Sequence, residues 1–248
     1  MGQAQDLWDD PEKDYRKRWQ MPLHYLWDEY SLAMVDFAGY TTLIKELLPT
    51  PPQALLDVGC GDGYFAAMLA SWGYHVTGID FSSRAVAFAK LFVPDAEFYE
   101  CDVRTLKQTT WLRGRFPVAV FIEVLEHIPP QYHEDSLVGT ASCLCKGGRL
   151  VLSTPSDSMP MISQDYKHFS LEELTRLLNR TGFTVEKVIH QNRLHPLFSP
   201  KLWRGFANRH YDVRVIRRIL LRLFMARFNR VTDGSKAGRL IVRAALNP

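Results

Sequence analysis

The run Leu55-Leu56-Asp57-Val58-Gly59-Cys60-Gly61-Asp62-Gly63 sets the tightest limit on what this chain can fold into. Apolar residues suited to a buried strand lead into three glycines at alternate positions. Tyr64-Phe65-Ala66-Ala67-Met68-Leu69 then reads as the opening of a helix. Strand, bare turn and helix in that order form the repeating unit of a parallel α/β sheet. Glycine, lacking Cβ, lets the main chain bend sharply and lets a ligand approach closely, and the helix start offers free N–H groups. About twenty residues on, Asp80 closes a second apolar run, His75-Val76-Thr77-Gly78-Ile79, where a strand-end carboxylate can grip ribose hydroxyls. Together these features predict a nucleoside-bearing cofactor resting on the backbone.

The glycine spacing separates two cofactor classes. Dinucleotide folds use G-x-G-x-x-G, with the third glycine packing a helix beside a pyrophosphate. Here the order is G-x-G-x-G with Asp57 beside the turn, and a carboxylate there repels a pyrophosphate and suits a cationic amino group. On these residues the chain resembles the class I S-adenosylmethionine-dependent methyltransferases, whose first motif has the form D/E-x-G-x-G-x-G. Later segments match in order: Thr77-Gly78-Ile79-Asp80-Phe81-Ser82, Phe98-Tyr99-Glu100-Cys101-Asp102-Val103, Val120-Phe121-Ile122-Glu123-Val124-Leu125-Glu126-His127, Gly147–Pro155 and His168-Phe169-Ser170-Leu171-Glu172-Glu173-Leu174. The resemblance covers roughly residues 50–190 and a last strand near 239–245, and is nearest the branch of ubiquinone- and menaquinone-type and natural-product enzymes.

The resemblance implies a doubly wound, mostly parallel, seven-stranded Rossmann-like sheet with S-adenosyl-L-methionine as cofactor. It implies that Gly59 and Gly61 let the methionine portion lie against the turn, with Asp57, Cys60, Gly63 and Glu123 in the same cofactor-binding set. Asp80 would accept both ribose hydroxyls, Phe81 would pack on adenine, and Asp102 and Val103 would meet its edge. Each acid also has a plainer role: Asp57 orienting the turn, Asp80 capping a strand, Asp102 serving a turn. His127 falls where the family faces the transferred methyl, and a neutral imidazole there can take the proton of a hydroxyl acceptor. It can equally shape the pocket without acting as a base. His168 is a substrate candidate or a loop-packing residue. Tyr25 and Tyr30, with Trp27, are candidates for a lid over the acceptor, or for an amphipathic helix packed on the sheet.

Alternating strand and helix signals place strands near 54–58, 75–80, 96–101, 117–124 and 148–153. Helices are expected near 64–72, 83–93, 131–145 and 170–180, after a helical stretch at 20–48. Gly73 and Gly182 fit helix C-termini, and Ser170-Leu171-Glu172-Glu173 is a capping box. The expected organisation is an N-terminal helical lid (1–50), the cofactor-binding domain (51–191), a basic helical insertion (192–236) and a last strand completing the sheet (237–248). From residue 192 to 230 the insertion carries ten Arg and Lys side chains against Asp212 alone, in a chain of net charge +3, so the remainder is acidic. Within the basic 213–230 segment, arginines on one helix face and Ile, Leu and Phe on others suit peripheral contact with an anionic membrane surface, hence a lipid-linked acceptor. A substrate cap or dimer arm explains the same pattern, and nucleic acid is not the expected partner.

No apolar run reaches the roughly twenty residues of a membrane span. The four cysteines form no C-x-x-C pair, so a reducing, cytoplasmic setting is expected, peripheral to a membrane if the basic helix binds one. The expectation is a methyltransferase acting on a small-molecule acceptor, most naturally at oxygen. Two alternatives stay open. Glu123, Glu126, His127 and His168 resemble the metal-holding segment of terminal RNA 2′-O-methyltransferases, although Lys167-His168-Phe169-Ser170 matches the small-molecule enzymes and no metal is expected. The other is a scaffold that binds the cofactor without catalysis.

Overall fold

Successive residues of a strand point to opposite sides, so the uninterrupted apolar runs Leu55-Leu56 and Val118–Phe121 need cover on both faces. The computed structural model supplies it; residues 19–26, 32–51, 53–192, 229–231, 234 and 237–248 are described here, apart from the side chains at 32 and 35. Strands β1 (Ala54–Val58), β2 (His75–Asp80), β3 (Glu97–Glu100), β4 (Phe116–Ile122), β5 (Leu144–Pro155), β6 (Phe183–Asn192) and β7 (Ala237–Leu246) form a sheet of order β3-β2-β1-β4-β5-β7-β6. The first five run parallel, and β7 is antiparallel to both neighbours, β5 and β6. The fold is the doubly wound, mostly parallel sheet expected from the sequence.

Helices α1 (Leu23–Leu26), α2 (Leu32–Lys45), α3 (Tyr64–Ser71), α4 (Ser83–Phe92), α5 (His133–Cys143) and α6 (Leu171–Arg180) accompany the sheet. Two apolar clusters sit on its opposite faces, and neighbouring residues divide between them. Leu56, Ala119, Phe121, Leu150 and Leu152 join Leu137, Leu174 and Leu178 in one cluster. Leu55, Val118, Val120 and Val151 join Phe37, Ile44, Phe65 and Leu69 in the other. Each fully buried side chain of this size contributes about 1.5–3 kcal/mol. The Ser170 hydroxyl accepts from Glu173 N while the Glu173 carboxylate accepts from Ser170 N, the reciprocal cap read from the sequence.

Two details differ from expectation. Within 20–48, helix is confined among the described residues to Leu23–Leu26 and Leu32–Lys45; Pro22 suits the entry to the first, since its missing N–H falls where a helix has unpaired donors anyway. Strand β5 begins at Leu144 rather than 148, because Leu144 already pairs with Phe116 before a register slip aligns Val118 with Arg149. Most of the basic insertion, including the helix expected within 213–230, lies outside the described residues, as do Trp27 and Tyr30. Its return is described: Asn192 N donates to Asn229 O at 2.9 Å, Val231 N donates to His190 O at 3.0 Å, and buried Asn229 donates to Gly39 O at 2.9 Å. Both ends of the excursion therefore meet beside β6. Among the described residues no helix is long and apolar enough to cross a membrane.

Strand order reverses between β1 and β4, one half of the chain winding toward β3 and the other toward β6. Loops diverge at such a point and leave a crevice at the strands' carboxyl ends. Asp57, Asp80, Asp102 and Glu123 all fall within or just beyond those ends.

Candidate functional site

The turn after β1 is pinned to β2: Gly59 N and Cys60 N both donate to Ile79 O, at 2.8 and 3.0 Å. Gly59 has φ +77, and a Cβ there would lie 2.4 Å from Val124 Cγ2. A side chain at this position would meet strain and collision at once. Gly61 is roofed by Trp19, whose ring would lie 2.6 Å from an added Cβ. Gly63 is crowded from elsewhere, with Ala89 of α4 2.9 Å from an added Cβ, so it serves the packing of α3 on α4. Asp80 locks the turn from the end of β2. Its carboxylate accepts from Gly61 N at 3.0 Å and Ser82 N at 2.9 Å. Burial pushes its pKa up to about 6 despite those donors.

Two cavities open on this turn. One, enclosing about 610 Å³ with its mouth, is mainly apolar and is lined by Ile79, Asp80, Phe81, Cys101, Asp102, Val103 and Ile128. Asp102 is not idle there: its carboxylate accepts from Arg104 N at 2.9 Å and pairs with the Arg104 guanidinium at 2.6 Å. The other, about 1260 Å³ with its mouth, is the more polar of the two, with charged groups among apolar ones, and draws on residues from Trp19 to Arg239. Gly59 and His127 line both cavities, which marks the place where they meet.

The polar chamber is organised by charge. Arg239, opening β7, pairs with Glu123 at 2.7 Å and Asp36 at 3.1 Å, donates to Gln191 Oε1 at 2.6 Å and lies over the Tyr40 ring at 4.3 Å. Burial opposes its charge, but Glu123 and Asp36 outweigh that and hold the guanidinium more firmly protonated than usual. Glu123 has φ +54 and also accepts from Ser153 Oγ at 2.7 Å. Buried Glu126 is raised to about 8 by burial and by the charge of Glu123. Asp57 is raised to about 7 by burial and by Asp80, and its Oδ2 has no hydrogen-bond partner among the described residues. His127 Nδ1 lies 3.1 Å from Asp165 Oδ1 and 3.1 Å from Gln164 O. Burial alone would lower the His127 pKa, but Asp165, Glu126 and the Gln164 carbonyl raise it above the ordinary histidine value.

The structure brings Asp57, Gly59, Cys60, Gly61, Glu123, His127 and His168 to the polar chamber, and Asp80, Phe81, Asp102 and Val103 to the apolar cavity. Tyr25 is not among the chamber's lining residues. It stacks on Phe92 with ring centres 4.1 Å apart and meets Tyr64 edge-on at 5.0 Å. For a metal, Glu123 and His168 are otherwise engaged, and among the described residues no cluster of three or more His, Cys, Asp or Glu is arranged to hold one. Sequence reading missed Asp165, Arg239, Asp36 and the pair His24–Asp62. In that pair His24 Nδ1 lies 2.8 Å from the Asp62 carboxylate and ties α1 to the glycine turn. Asp165 had one available signal, its place three residues before His168; Asp36 and Arg239 are 203 residues apart and had none.

A sheet of this order with one reversed strand, ending in a glycine turn and a strand-end acid, defines a nucleoside-cofactor α/β protein. The family model described as "Methyltransferase domain" matches residues 36–188, more than half of the chain, and the chain belongs to that family. The ubiquinone biosynthesis O-methyltransferase of Albidiferax ferrireducens is 33% identical over 161 residues; the match spans 61% of this chain and 60% of that relative's length. Among solved structures, the Burkholderia thailandensis 1,6-didemethyltoxoflavin-N1-methyltransferase with bound S-adenosylhomocysteine has a TM-score of 0.60 at 19% identity, covering 96% of this chain and 91% of that one. The [4+2]-cyclase SpnF has a TM-score of 0.59 at 19% identity, covering 86% of this chain and 80% of its own. One fold thus hosts different reactions, and the site has to decide between them.

Proposed function

We propose that this chain methylates a small molecule at oxygen, with S-adenosylmethionine as the methyl donor. One observation carries the reading: an apolar cavity and a polar chamber meet at Gly59 and His127. A cofactor with its nucleoside in the first and its methionine portion on the Asp57–Gly61 side of the second would turn its methyl toward an acceptor in the rest of the chamber.

The residues fit the cofactor. At the turn only glycine fits position 59, where φ is +77 and Val124 packs in the place of a Cβ. The buried Asp57 Oδ2 beside it, without a hydrogen-bond partner among the described residues, suits an ammonium group. Asp80 lines the apolar cavity with both oxygens already shared with backbone N–H groups. Each carboxylate oxygen can accept more than one bond, so two ribose hydroxyls add to that arrangement at about 1.5–3 kcal/mol each. Phe81 supplies apolar surface for adenine, and Val103 its backbone N–H. Asp102, committed to Arg104, reaches the ring edge only while keeping that ion pair. Gly61 and Cys60 form the floor for the methionine portion, while Glu123 belongs with Arg239 on the acceptor side.

When bound, the cofactor supplies a methyl group already activated on a sulfonium. The protein is left to orient the acceptor, exclude water and remove a proton; orientation of this kind is worth ~7–11 kcal/mol. His127 is the group placed to take the proton of an acceptor hydroxyl, since it stands at the junction. Buried Glu126 accepts from Thr154 Oγ1 at 3.3 Å, so it is engaged within the fold rather than standing as a second base. The relatives named O-methyltransferase support oxygen as the acceptor atom. A cytoplasmic site of action, with the basic 213–230 segment on an anionic lipid surface, rests on sequence alone.

The test is transfer of labelled methyl from S-adenosylmethionine to a fractionated metabolite extract, followed by mass spectrometry of the product. A new methoxy group is expected. Retained S-adenosylhomocysteine binding with no transfer to any fraction would leave the non-catalytic scaffold, and transfer abolished by nuclease treatment would point to RNA.

A further inference from the structure

The loop between β5 and α6 lies over the polar chamber, contributing Met159, Ile162, Asp165 and His168 to its lining. Asp165 is its anchor. The carboxylate is 4% exposed and stands between two imidazoles, Oδ1 at 3.1 Å from His127 Nδ1 and Oδ2 at 2.8 Å from His168 Nε2. The other nitrogen of His168 lies 3.0 Å from Met159 O, so both sides of that ring face acceptors. His168 is therefore built as a donor to Asp165 rather than as a base toward substrate. The same logic fixes His127. Its Nδ1 faces Asp165 Oδ1 and Gln164 O, two groups that only accept, so the proton of the neutral ring resides on Nδ1. The lone pair is then on Nε2, on a residue that lines both cavities.

We propose that Asp165 is a positioning residue for methyl transfer: it holds His127 in the tautomer whose Nε2 accepts the acceptor's proton, and His168 holds Asp165 in turn. The inference rests on His127 acting as base in the function proposed above. As the acceptor oxygen forms its bond to methyl, the O–H pair stays on oxygen and the proton passes to His127 Nε2; the S–CH3 electron pair leaves with sulfur. His127 becomes an imidazolium bonded to a carboxylate, a charge arrangement met where an acid orients a catalytic imidazole. Among the described residues, Glu126 sits beside His127 on the same turn and Glu123 stands close to Glu126, while His168 faces the far oxygen of Asp165. The Tyr166 N to Glu126 O bond, at 2.7 Å, ties the loop to that turn independently of Asp165. Replacing the carboxylate therefore need not release the loop.

The experiment compares wild type, Asp165→Asn and His168→Asn by nitrogen-15 NMR of imidazoles in the ligand-free protein, with His127→Gln used to assign the His127 signals. Expected are the Nδ1–H tautomer in wild type, and in Asp165→Asn a titration midpoint of His127 at least one unit lower, a tenfold change in proton affinity. His168→Asn should move it the same way by less. With 4-methylcatechol as the acceptor probe, kcat of Asp165→Asn should fall at least tenfold, with KM and S-adenosylhomocysteine affinity changed less than threefold. A loop tether without a positioning role gives the reverse split, with KM and cofactor affinity lost and His127 signals unmoved. That result overturns the proposal, as does the Nε2–H tautomer in wild type. If the probe is not methylated at all, the NMR result still decides the Asp165–His127 coupling, and it is the hydroxyl-acceptor reading that fails.

Discussion

The two cavities are built in opposite ways. Among the described residues, the apolar one draws its lining from positions 59–129, each at or just past the end of consecutive strands. The polar one gathers Trp19, Asp36, Asp57, Glu123, Asp165 and Arg239 from both ends of the chain and from a loop. The first is a by-product of the sheet's winding: once β1 to β4 are parallel and adjacent, their tips must lie together. The second exists only when α2, the β5–α6 loop and β7 have all docked. The nucleoside part of a cofactor site and an acceptor site particular to one chain divide in this manner, with the glycine turn and Asp57 on the chamber side serving the rest of the cofactor.

If the division is right, changes in one half should spare the other. The largest effect belongs to the junction. His127→Ala should reduce turnover by ~10²–10⁴-fold, the usual contribution of a positioned base, with S-adenosylhomocysteine affinity by calorimetry kept within a factor of two. The loss should shrink at high pH for an acceptor that ionises unaided. Full turnover in this variant would remove His127 from the chemistry.

Next in size is Arg239→Met, confined to the chamber. It removes the cation between Asp36 and Glu123, whose side chains keep 28% and 20% exposure. A fully buried pair so broken costs about 3–5 kcal/mol, and the residual exposure brings the expected loss to about 2–3 kcal/mol by denaturant unfolding. Cofactor affinity should hold. An equal collapse of both would show that the halves are one cooperative unit.

The same division explains how much could be read in advance. Periodicity and turn chemistry are local, and they placed β1–β4, the glycine turn and the Ser170 cap within a few residues. Asp80 was legible because nothing but the length of one βαβ unit separates it from Gly61, to which it bonds. Arg239 was read only as part of a strand. Its role depends on β7 entering the sheet between β5 and β6 and bringing position 239 against Pro155 and Gln191. Asp165 lies in a loop without period, so the two histidines that it joins were weighed one at a time. Tyr25 was read as a lid over the acceptor or as part of a helix packed on the sheet; its ring packs on Phe92 and Tyr64. Aromatic spacing along a helix reports a face but not what that face meets.

A smaller effect tests the apolar half. Asp80 holds Gly61 N and Ser82 N, so truncation to Ala would unpair both and confound affinity with folding. Asp80→Asn keeps the shape and one acceptor. It should weaken S-adenosylhomocysteine about tenfold, the loss of one charge-assisted bond, while turnover at saturating cofactor stays near wild type. Unchanged affinity would refute the ribose role.

The subtlest test concerns Asp57, on the chamber side of the turn that carries Gly59. Its folded pKa of about 7 lies above the ordinary carboxylate value of 3.8, chiefly because the group is buried. The folded, ligand-free protein therefore binds this proton more tightly than the unfolded chain does. Stability from this group is full below pH 4 and is lost as pH rises through 7. An ammonium placed beside Asp57 favours the opposite, ionised form, so binding below pH 7 must expel the proton. S-adenosylhomocysteine affinity should accordingly climb with pH by up to about tenfold per unit below 7 and level off above it. Asp80 and Glu126, at about 6 and 8, titrate nearby, and Asp57→Asn separates them: it should flatten the climb near pH 7 and raise thermal stability most at pH 8. A wild-type affinity flat from pH 6 to 8 would mean that the ligand's amino group lies elsewhere and that Asp57 only shapes the turn.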